Sequence, residues 1–258
     1  MTRHESFSDF TIAEKDLVLA TDLDGTFLGG YDADRKQFYA WIEANRDRVG
    51  LIFVTGRDPS FIRELTYKGH VPRPDYVVAD VGTTIAEMDH THILSPIDVL
   101  EAEIADAWKN SNDRVQRALH GMAGLKLQST MFRYRVSYDM DPYRLDPKAV
   151  ATVEDLGLDV LISDDRFFDV LPKGVSKGPS LLRLLTHLGI DNRKTLVAGD
   201  TLNDYSMLAM GVPAVAVGNS EPALVEKVKD LDHVRIAEDH GVAGIAEAIV
   251  KDQLFPKA

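Results

Sequence analysis

Short apolar runs that end in polar residues alternate with segments of helical periodicity in the N-terminal part of the chain. The runs are residues 17–22, 51–54 and 76–79, and their length and continuity are typical of buried strands. Apolar positions recur at helical spacing over residues 34–49. Asp58-Pro59 then supplies an N-cap and a proline at the first helical position, which predicts the start of another helix.

The C-terminal third repeats this alternation of strands and helices. Strands are predicted at residues 195–198, 212–217 and 234–237, and helices at residues 178–188, 203–210, 222–229 and from 242 onward. Continuous apolar strands that alternate with helices are typical of a parallel sheet covered on both faces. The prediction is therefore a Rossmann-like, doubly wound α/β core.

The middle of the chain has a different pattern. Residues 134–140 alternate with period two, which is typical of a strand with one face in water. A hairpin is predicted at residues 85–94, and a helical stretch at 98–120 with a break near residues 110–112. We therefore predict an inserted α+β cap domain at 86–168, with residues 1–85 and 169–258 forming the core domain.

Composition narrows the classes of function. The 258 residues carry a formal net charge of -12 and no cysteine. The acidic balance argues against a nucleic-acid surface, which needs clustered Lys and Arg, and the lack of cysteine excludes disulfides. No segment approaches the roughly 18 apolar residues of a membrane helix, and the polar N-terminus has no signal-peptide pattern. We expect a cytoplasmic protein, monomeric or a small homo-oligomer, without nucleic-acid or membrane partners.

The strongest chemical signal is Asp22-Leu23-Asp24-Gly25-Thr26 at the end of the first predicted strand. Ligands of open α/β sheets bind outside the carboxyl ends of the strands. One carboxylate can attack phosphorus as a covalent nucleophile, and a second can transfer a proton to the leaving oxygen. Asp-Gly-Thr is also common turn chemistry, so the segment alone does not decide between a turn and a catalytic site.

Three further segments add to this signal. Gly199-Asp200-Thr201-Leu202-Asn203-Asp204 follows another apolar strand, and its carboxylates are suitable oxygen ligands for Mg²⁺, although they would also cap the next helix. Thr55-Gly56-Arg57 offers a hydroxyl and backbone N–H groups for a phosphoryl oxygen. Lys177 supplies a cation for the charge that develops on the transferring group.

Together, these four segments resemble the signature of the haloacid dehalogenase superfamily, and no motif position is missing. The resemblance implies that Asp22 is the nucleophile and that Asp24 is the general acid/base. It also implies that Thr55 and Lys177 hold the phosphoryl group. Mg²⁺ is expected at Asp22, the backbone carbonyl of Asp24, Asp200 and Asp204, with Asn203 and Asp204 supporting the site.

The position and composition of the insertion resemble the type IIB cap of that superfamily. The segments at residues 54–57 and 169–178 are similar to those of sucrose-phosphate phosphatase relatives, and so is Arg135-Val136-Ser137-Tyr138 in the cap. One position departs from that group, which often has asparagine where this chain has Gly25. Gly25 is instead what the broader sugar phosphatases have at this position.

Cap residues are expected to choose the substrate. Gln128, Arg135 and Tyr138 are candidate contacts to sugar hydroxyls, although polar residues on a half-exposed strand are also expected without any function. In the core, the predicted substrate contacts are Thr55, Gly56, Arg57, Lys177 and Asn203.

The expected activity is Mg²⁺-dependent hydrolysis of a disaccharide phosphate, such as sucrose 6-phosphate or mannosylfructose phosphate, through a phospho-aspartate. The alternatives are a phosphomannomutase-like phosphosugar mutase, a generalist sugar-phosphate phosphatase and a non-catalytic sugar-phosphate binding protein. The presence of Asp22, Asp24, Asp200 and Asp204 argues against the binding protein.

Overall fold

The computed structural model describes residues 11–256, so residues 1–10 and 257–258 of the predicted core, with most of the polar N-terminal stretch, lie outside it. The strands, in chain order, are β1 Leu17–Thr21, β2 Val49–Val54, β3 Tyr76–Ala79, β4 Thr84–Met88, β5 Leu94–Pro96, β6 Leu125–Leu127, β7 Val136–Met140, β8 Asp159–Ser163, β9 Phe167–Leu171, β10 Thr195–Gly199, β11 Ala214–Ala216 and β12 Val234–Ile236. The helices are α1 Asp32–Ala44, α2 Pro59–Tyr67, α3 Asp98–Trp108, α4 Asn112–Ala118, α5 Ala149–Asp155, α6 Lys177–Leu188, α7 Tyr205–Leu208, α8 Pro222–Val228 and α9 Val242–Lys251.

The larger sheet has the strand order β12-β11-β10-β1-β2-β3-β4-β5 over the described residues. All pairs from β12 to β3 are parallel, whereas β4 and β5 are antiparallel additions at one edge. Helices cover both faces, and this explains why the central strands are apolar throughout: Leu17 and Leu19 of β1 pack on one face, and Val18 and Ala20 on the other. The predicted α/β core is confirmed.

The smaller sheet has the order β6-β7-β9-β8 and is antiparallel throughout. One of its faces carries an apolar cluster that includes Val136 and Phe168 from the strands, Val115 from α4 and Val153 from α5. This sheet and its helices form the inserted α+β cap.

The junction between the two sheets differs from both predicted boundaries. Strand β9, which runs across the predicted boundary at residue 168, pairs with β7 and β8 in the smaller sheet. Strands β4 and β5, predicted to belong to the cap, pair with β3 in the larger sheet. Helix α3 spans both units, because Leu100 and Ile104 lie in a core cluster while Trp108 lies in the cap cluster. The predicted break after α3 is present, with Lys109 and Asn110 both at a φ of 52°.

No helix within residues 11–256 is both long enough and apolar enough to cross a membrane.

Candidate active site

Three neighbouring strand ends bring predicted catalytic and metal-binding residues to one edge of the sheet. Strands β10, β1 and β2 are adjacent and parallel. Asp22 follows β1, Thr55 follows β2 and Asp200 follows β10. Because the carboxyl ends of parallel strands meet at the same edge, the side chains that follow them share one crevice.

Lys177, the first residue of α6, is 1% exposed and lies among oxygen acceptors. Its ammonium donates to Oδ1 of Asp22 at 2.7 Å, to Oδ1 of Asn203 at 2.8 Å and to Oδ1 of Asp204 at 2.7 Å. Burial by itself would lower the pKa of Lys177, but the carboxylates of Asp204 and Asp22 outweigh burial and raise it. The lysine is therefore charged and has all three of its donors in use.

Asp22, Asp200 and Asp204 form a buried cluster in which one oxygen of each lies within 4.8 Å of the others. Burial raises the pKa of Asp22 well above its usual value, and Lys177 offsets this only in part. Burial, reinforced by the charge of Asp204, raises the pKa of Asp200 to about 7. One ammonium thus faces three carboxylates, an excess of negative charge that a divalent cation would compensate.

Asp204 differs from the other two carboxylates because both of its oxygens already accept hydrogen bonds. Oδ1 accepts from Lys177, while Oδ2 accepts from the backbone N–H groups of Asp200 at 2.9 Å and Thr201 at 3.0 Å. Its side chain is fully buried. These contacts make Asp204 a support for Lys177 and for the loop that carries Asp200.

The irregular turn Leu23–Phe27 after β1 explains the need for Gly25-Thr26. Gly25 has a φ of 79°, and a Cβ at this position would overlap Oδ2 of Asp200. The hydroxyl of Thr26 donates to Oδ1 of Asp200 at 2.7 Å. The glycine thus leaves room for the Asp200 carboxylate, and the threonine orients it.

Asp24 lies on the open side of the site, with 52% of its side chain exposed. Arg57 donates to it twice, from Nε to Oδ2 at 2.7 Å and from an Nη to Oδ1 at 3.0 Å. The guanidinium also lies 4.6 Å from the ring centroid of Phe61. Arg57 was predicted to contact substrate, and in this structure it holds the predicted acid/base residue.

The loop that follows β2 is held by a hydrogen bond within the loop and by another to β3. The buried Thr55 hydroxyl accepts from the N–H of Arg57 at 3.1 Å, and the N–H of Thr55 donates to the carbonyl of Val78 at 2.8 Å. A Cβ at Gly56 would meet only Val81, at 3.8 Å, so the backbone here is uncrowded. The loop therefore offers the Thr55 hydroxyl and the N–H of Gly56 at the strand end beside Asp22.

Arg135 of the cap, predicted as a sugar contact, takes part in an ion-pair network between cap and core. It donates to Ser137 at 2.7 Å, to Asp169 at 3.2 Å and to Asp80 of the core at 3.1 Å. Its side chain is 12% exposed, and a charge so buried needs such partners. The hydroxyl of Ser137 donates to Asp169 as well.

The other two predicted cap contacts lie in different surroundings. Gln128 donates to Oδ1 of Asp139 at 3.1 Å. Tyr138 lies in the apolar cluster of the cap with Phe168, and its hydroxyl has no partner among the described residues. Burial raises the pKa of Tyr138 to about 12. Its side chain therefore packs under the cap helices, which argues against the predicted sugar contact.

Two residues of the site were not predicted from the sequence. Asn219 bridges two loops, since its Nδ2 donates to the carbonyl of Gly25 at 3.0 Å and its Oδ1 accepts from Gly241 at 2.8 Å. Glu221 accepts from the N–H of Leu202 at 3.0 Å. Both follow β11, so the rule that ligands bind at strand ends would have singled out this loop too.

The sequence of this chain matches a known family. The sequence model of the family described as sucrose-6F-phosphate phosphohydrolase matches residues 15–251. The chain belongs to this family.

The relatives of this chain differ in length, so the chain matches different shares of each. The glucosylglycerol-phosphate synthase of Pseudomonas anguilliseptica is 40% identical over 235 residues, which are 91% of this chain but 30% of that protein. The mannosylfructose-phosphate phosphatase of Agrobacterium fabrum is 28% identical over 91% of this chain and 94% of that protein. Sucrose-phosphatase 1 of Nicotiana tabacum is 29% identical over 93% of this chain and 60% of that protein. The chain thus spans less than two thirds of two of these three relatives.

Solved structures agree with the family. The sucrose-phosphatase of Synechocystis sp. PCC6803, in complex with sucrose and phosphate, has a TM-score of 0.82 at 25% identity and covers 93% of this chain. A haloacid dehalogenase-like hydrolase from Bacillus subtilis has a TM-score of 0.66 at 18% identity, and this likeness shows the fold alone. Fold and family confirm the resemblance to the haloacid dehalogenase superfamily and its phosphatases.

Proposed function

We propose that this protein is a Mg²⁺-dependent phosphatase that hydrolyses a sugar phosphate through a phosphorylated Asp22. The observation that carries the proposal is the contact of Asp22 with the buried ammonium of Lys177 at 2.7 Å, beside Asp200. A lysine fixed in this way stabilises negative charge on a transferring phosphoryl group. The Thr55 hydroxyl and the N–H of Gly56 would bind the remaining phosphoryl oxygens.

The donor set suits a magnesium ion. Asp22 and Asp200 would bind it through carboxylate oxygens, and Asp24 through its backbone carbonyl, because Mg²⁺ prefers hard oxygen ligands. Asp204, whose two oxygens are engaged, would support the ion through Lys177 and the Asp200 loop. When bound, the ion supplies positive charge that compensates the phosphoryl oxygens and the cluster of carboxylates.

The reaction would proceed in two displacements. Asp22 attacks phosphorus, the bond between phosphorus and the sugar oxygen breaks, and Asp24 gives that oxygen a proton. In the second step Asp24 takes a proton from water, the water oxygen attacks phosphorus, and the bond to Asp22 breaks. Splitting one hard displacement into two is the advantage of a covalent nucleophile. Arg57 would keep Asp24 at the open side, where the leaving group stands.

The relatives support two classes of substrate. A disaccharide phosphate, such as sucrose 6-phosphate or mannosylfructose phosphate, is supported by the names of the sucrose-phosphatases and of the mannosylfructose-phosphate phosphatase. A glucosylglycerol phosphate is supported by the 40% identical segment of the glucosylglycerol-phosphate synthase. Both are glycosides that carry a phosphate. The cytoplasmic location and the monomeric or small oligomeric state stay predictions.

Phosphate release from a panel of esters tests this function. The panel contains sucrose 6-phosphate, mannosylfructose phosphate, glucosylglycerol phosphate, simple hexose phosphates and p-nitrophenyl phosphate, each assayed with Mg²⁺ and with EDTA. We expect fast, Mg²⁺-dependent release from one glycoside phosphate. Slow release from all esters would favour the generalist phosphatase. Isomerisation without phosphate release would favour the mutase.

A further inference from the structure

The turn Asp80–Gly82, between β3 and β4, has an unusual backbone. Asp80, Val81 and Gly82 have φ values of 53°, 60° and 100°. A β-branched residue at positive φ is an outlier, and such strain persists only where the surroundings over-determine the conformation. The turn lies outside every motif of the proposed mechanism, so its surroundings need another explanation.

The backbone of this turn contacts two parts of the proposed site. The N–H of Asp80 donates to the carbonyl of Arg57 at 3.0 Å, and that of Val81 donates to the carbonyl of Thr55 at 3.2 Å. On the other side, Ser180 of α6 donates to the carbonyl of Gly82 at 2.6 Å. A Cβ on Gly82 would overlap the backbone of Ser176, next to Lys177. The turn thus lies between the Thr55 loop and the start of α6.

The side chain of Asp80 connects the same turn to the cap. Its Oδ1 accepts from Arg135 at 3.1 Å and its Oδ2 from Thr84 at 2.9 Å. Arg135 is in turn held by Ser137 and Asp169 on two cap strands. The side chains of Arg135, Asp80 and Asp169 are 12%, 17% and 7% exposed. The pair is therefore screened by solvent much less than a surface ion pair.

From these contacts we infer that Arg135 and Asp80 are positioning residues for the phosphoryl site. This inference rests on the proposed phosphatase function. Arg135 holds the strained turn from the cap side, and the turn holds the carbonyls of Thr55 and Arg57 and the start of α6. Seating of the cap is thereby linked to the placement of Thr55, Arg57 and Lys177, although Arg135 itself touches none of them in the described structure.

Three variants and one matched control test the inference. Arg135→Gln and Asp80→Asn each remove one charge, and the double variant removes both. Asparagine adopts positive φ about as readily as aspartate does, so Asp80→Asn preserves the backbone of the turn. The control is Arg133→Gln, which breaks the ion pair between Arg133 of the cap and Glu101 of α3. That pair also joins cap and core but does not contact the turn.

Kinetics on two substrates separate positioning from direct sugar binding. We expect Arg135→Gln and Asp80→Asn each to lower kcat about 10- to 100-fold, for the preferred sugar phosphate and for p-nitrophenyl phosphate alike. The double variant should be no worse than the worse single variant, because both break one interaction. Arg133→Gln should keep kcat near that of wild type. A rise in KM for the sugar phosphate alone, or an equal loss in Arg133→Gln, overturns the inference.

Hydrogen exchange gives a readout that does not depend on activity. We expect faster exchange at the amides of Asp80 and Val81 and over residues 177–180 in Arg135→Gln and Asp80→Asn, and no change there in Arg133→Gln. Unchanged exchange in the first two variants overturns the inference. A wild-type protein that hydrolyses no ester overturns the proposed function instead, and the exchange result still decides whether the cap holds this turn.

Discussion

The core sheet and the cap sheet position their polar side chains in different ways. In the core, Asp22, Thr55 and Asp200 follow three adjacent parallel strands. Parallel pairing brings these strand ends together, regardless of which face of the sheet each strand residue occupies. In the cap, Tyr138 and Asp139 are neighbours on one antiparallel strand. Tyr138 lies in the apolar cluster, whereas Asp139 accepts a hydrogen bond from Gln128, because successive side chains of a strand point to opposite faces.

The two arrangements differ in how firmly the sequence determines the place of a side chain. A residue that follows a core strand keeps its place even if the strand boundary is misjudged by a residue or two. A cap residue is assigned to the opposite face of the sheet when the predicted strand register is wrong by one residue. Substitutions at the core positions should therefore change the rate of the chemical step. Substitutions at the cap positions should show which face of the cap sheet meets the substrate.

Asp22→Asn should have the largest effect of any single core substitution. Without the carboxylate no phospho-aspartate forms, and we expect kcat to fall by about 10⁴-fold or more, as for other catalytic residues that act as a unit. The measurement is phosphate release from the preferred ester, with the melting temperature recorded in parallel. Asp16→Asn is the matched control, because Asp16 precedes the same strand at its opposite end and pairs with Arg48 there. Residual activity close to wild type would remove Asp22 from the role of nucleophile.

Gly25→Ala tests whether space for Asp200 matters, as distinct from backbone strain. Gly25 and Gly157 have φ values of 79° and 73°, but only a Cβ at Gly25 would overlap Asp200, whereas nothing lies within 4 Å of one at Gly157. The positive φ should make both substitutions destabilise the fold by about 1 kcal/mol, measured by urea unfolding, and the overlap with Asp200 should add to this loss in Gly25→Ala. Only Gly25→Ala should also reduce kcat, by about 100-fold. Equal kcat in the two variants would show that the Asp200 carboxylate is not held where the structure has it.

Much of the fold and the core of the site could be predicted from the sequence. An apolar run predicted Tyr76–Ala79 at its observed bounds, and Asp58 caps α2 as expected, accepting from the N–H groups of Ser60 and Phe61. Asp22 and Lys177 lie in contact, as the motif order suggested. These features depend on local apolarity, on helix capping and on the order of strands and motifs along the chain, all of which are visible in the sequence.

Other features depend on long-range partners that no local pattern records. The hairpin of β4 and β5 has the short strands of a cap element, yet it pairs with β3. Arg135 lies on a strand whose alternation predicted a half-exposed sugar contact. Its guanidinium instead binds Asp80, 55 positions away in sequence. Pairing between distant segments decided both cases.

Gln128→Ala tests whether the polar face of the cap sheet meets the sugar. Asp139, the partner of Gln128, alternates with Tyr138 and Met140 of the apolar cluster, so the pair lies on the face of the cap sheet that also carries the link from Ser137 to Arg135. We expect KM for the sugar phosphate to rise roughly tenfold, the value of one hydrogen bond to a neutral partner, with kcat for p-nitrophenyl phosphate unchanged. Gln116→Ala on α4, behind the sheet, is the matched control. An equal KM in the two variants would place the sugar elsewhere.

The smallest effect is expected for Tyr138→Phe, the neighbouring position on the opposite face. The Tyr138 side chain is 4% exposed and its hydroxyl lacks a partner within residues 11–256, so deleting the hydroxyl removes a desolvated group. We expect unchanged kinetics and a free energy of unfolding that is equal or higher by about 1 kcal/mol. Tyr39→Phe provides the contrast, since the Tyr39 hydroxyl donates to the carbonyl of Phe27 at 2.6 Å and its loss should cost about 1 kcal/mol. A raised KM in Tyr138→Phe would instead mean that this strand presents its tyrosine to the sugar, and that the two faces of the cap are reversed.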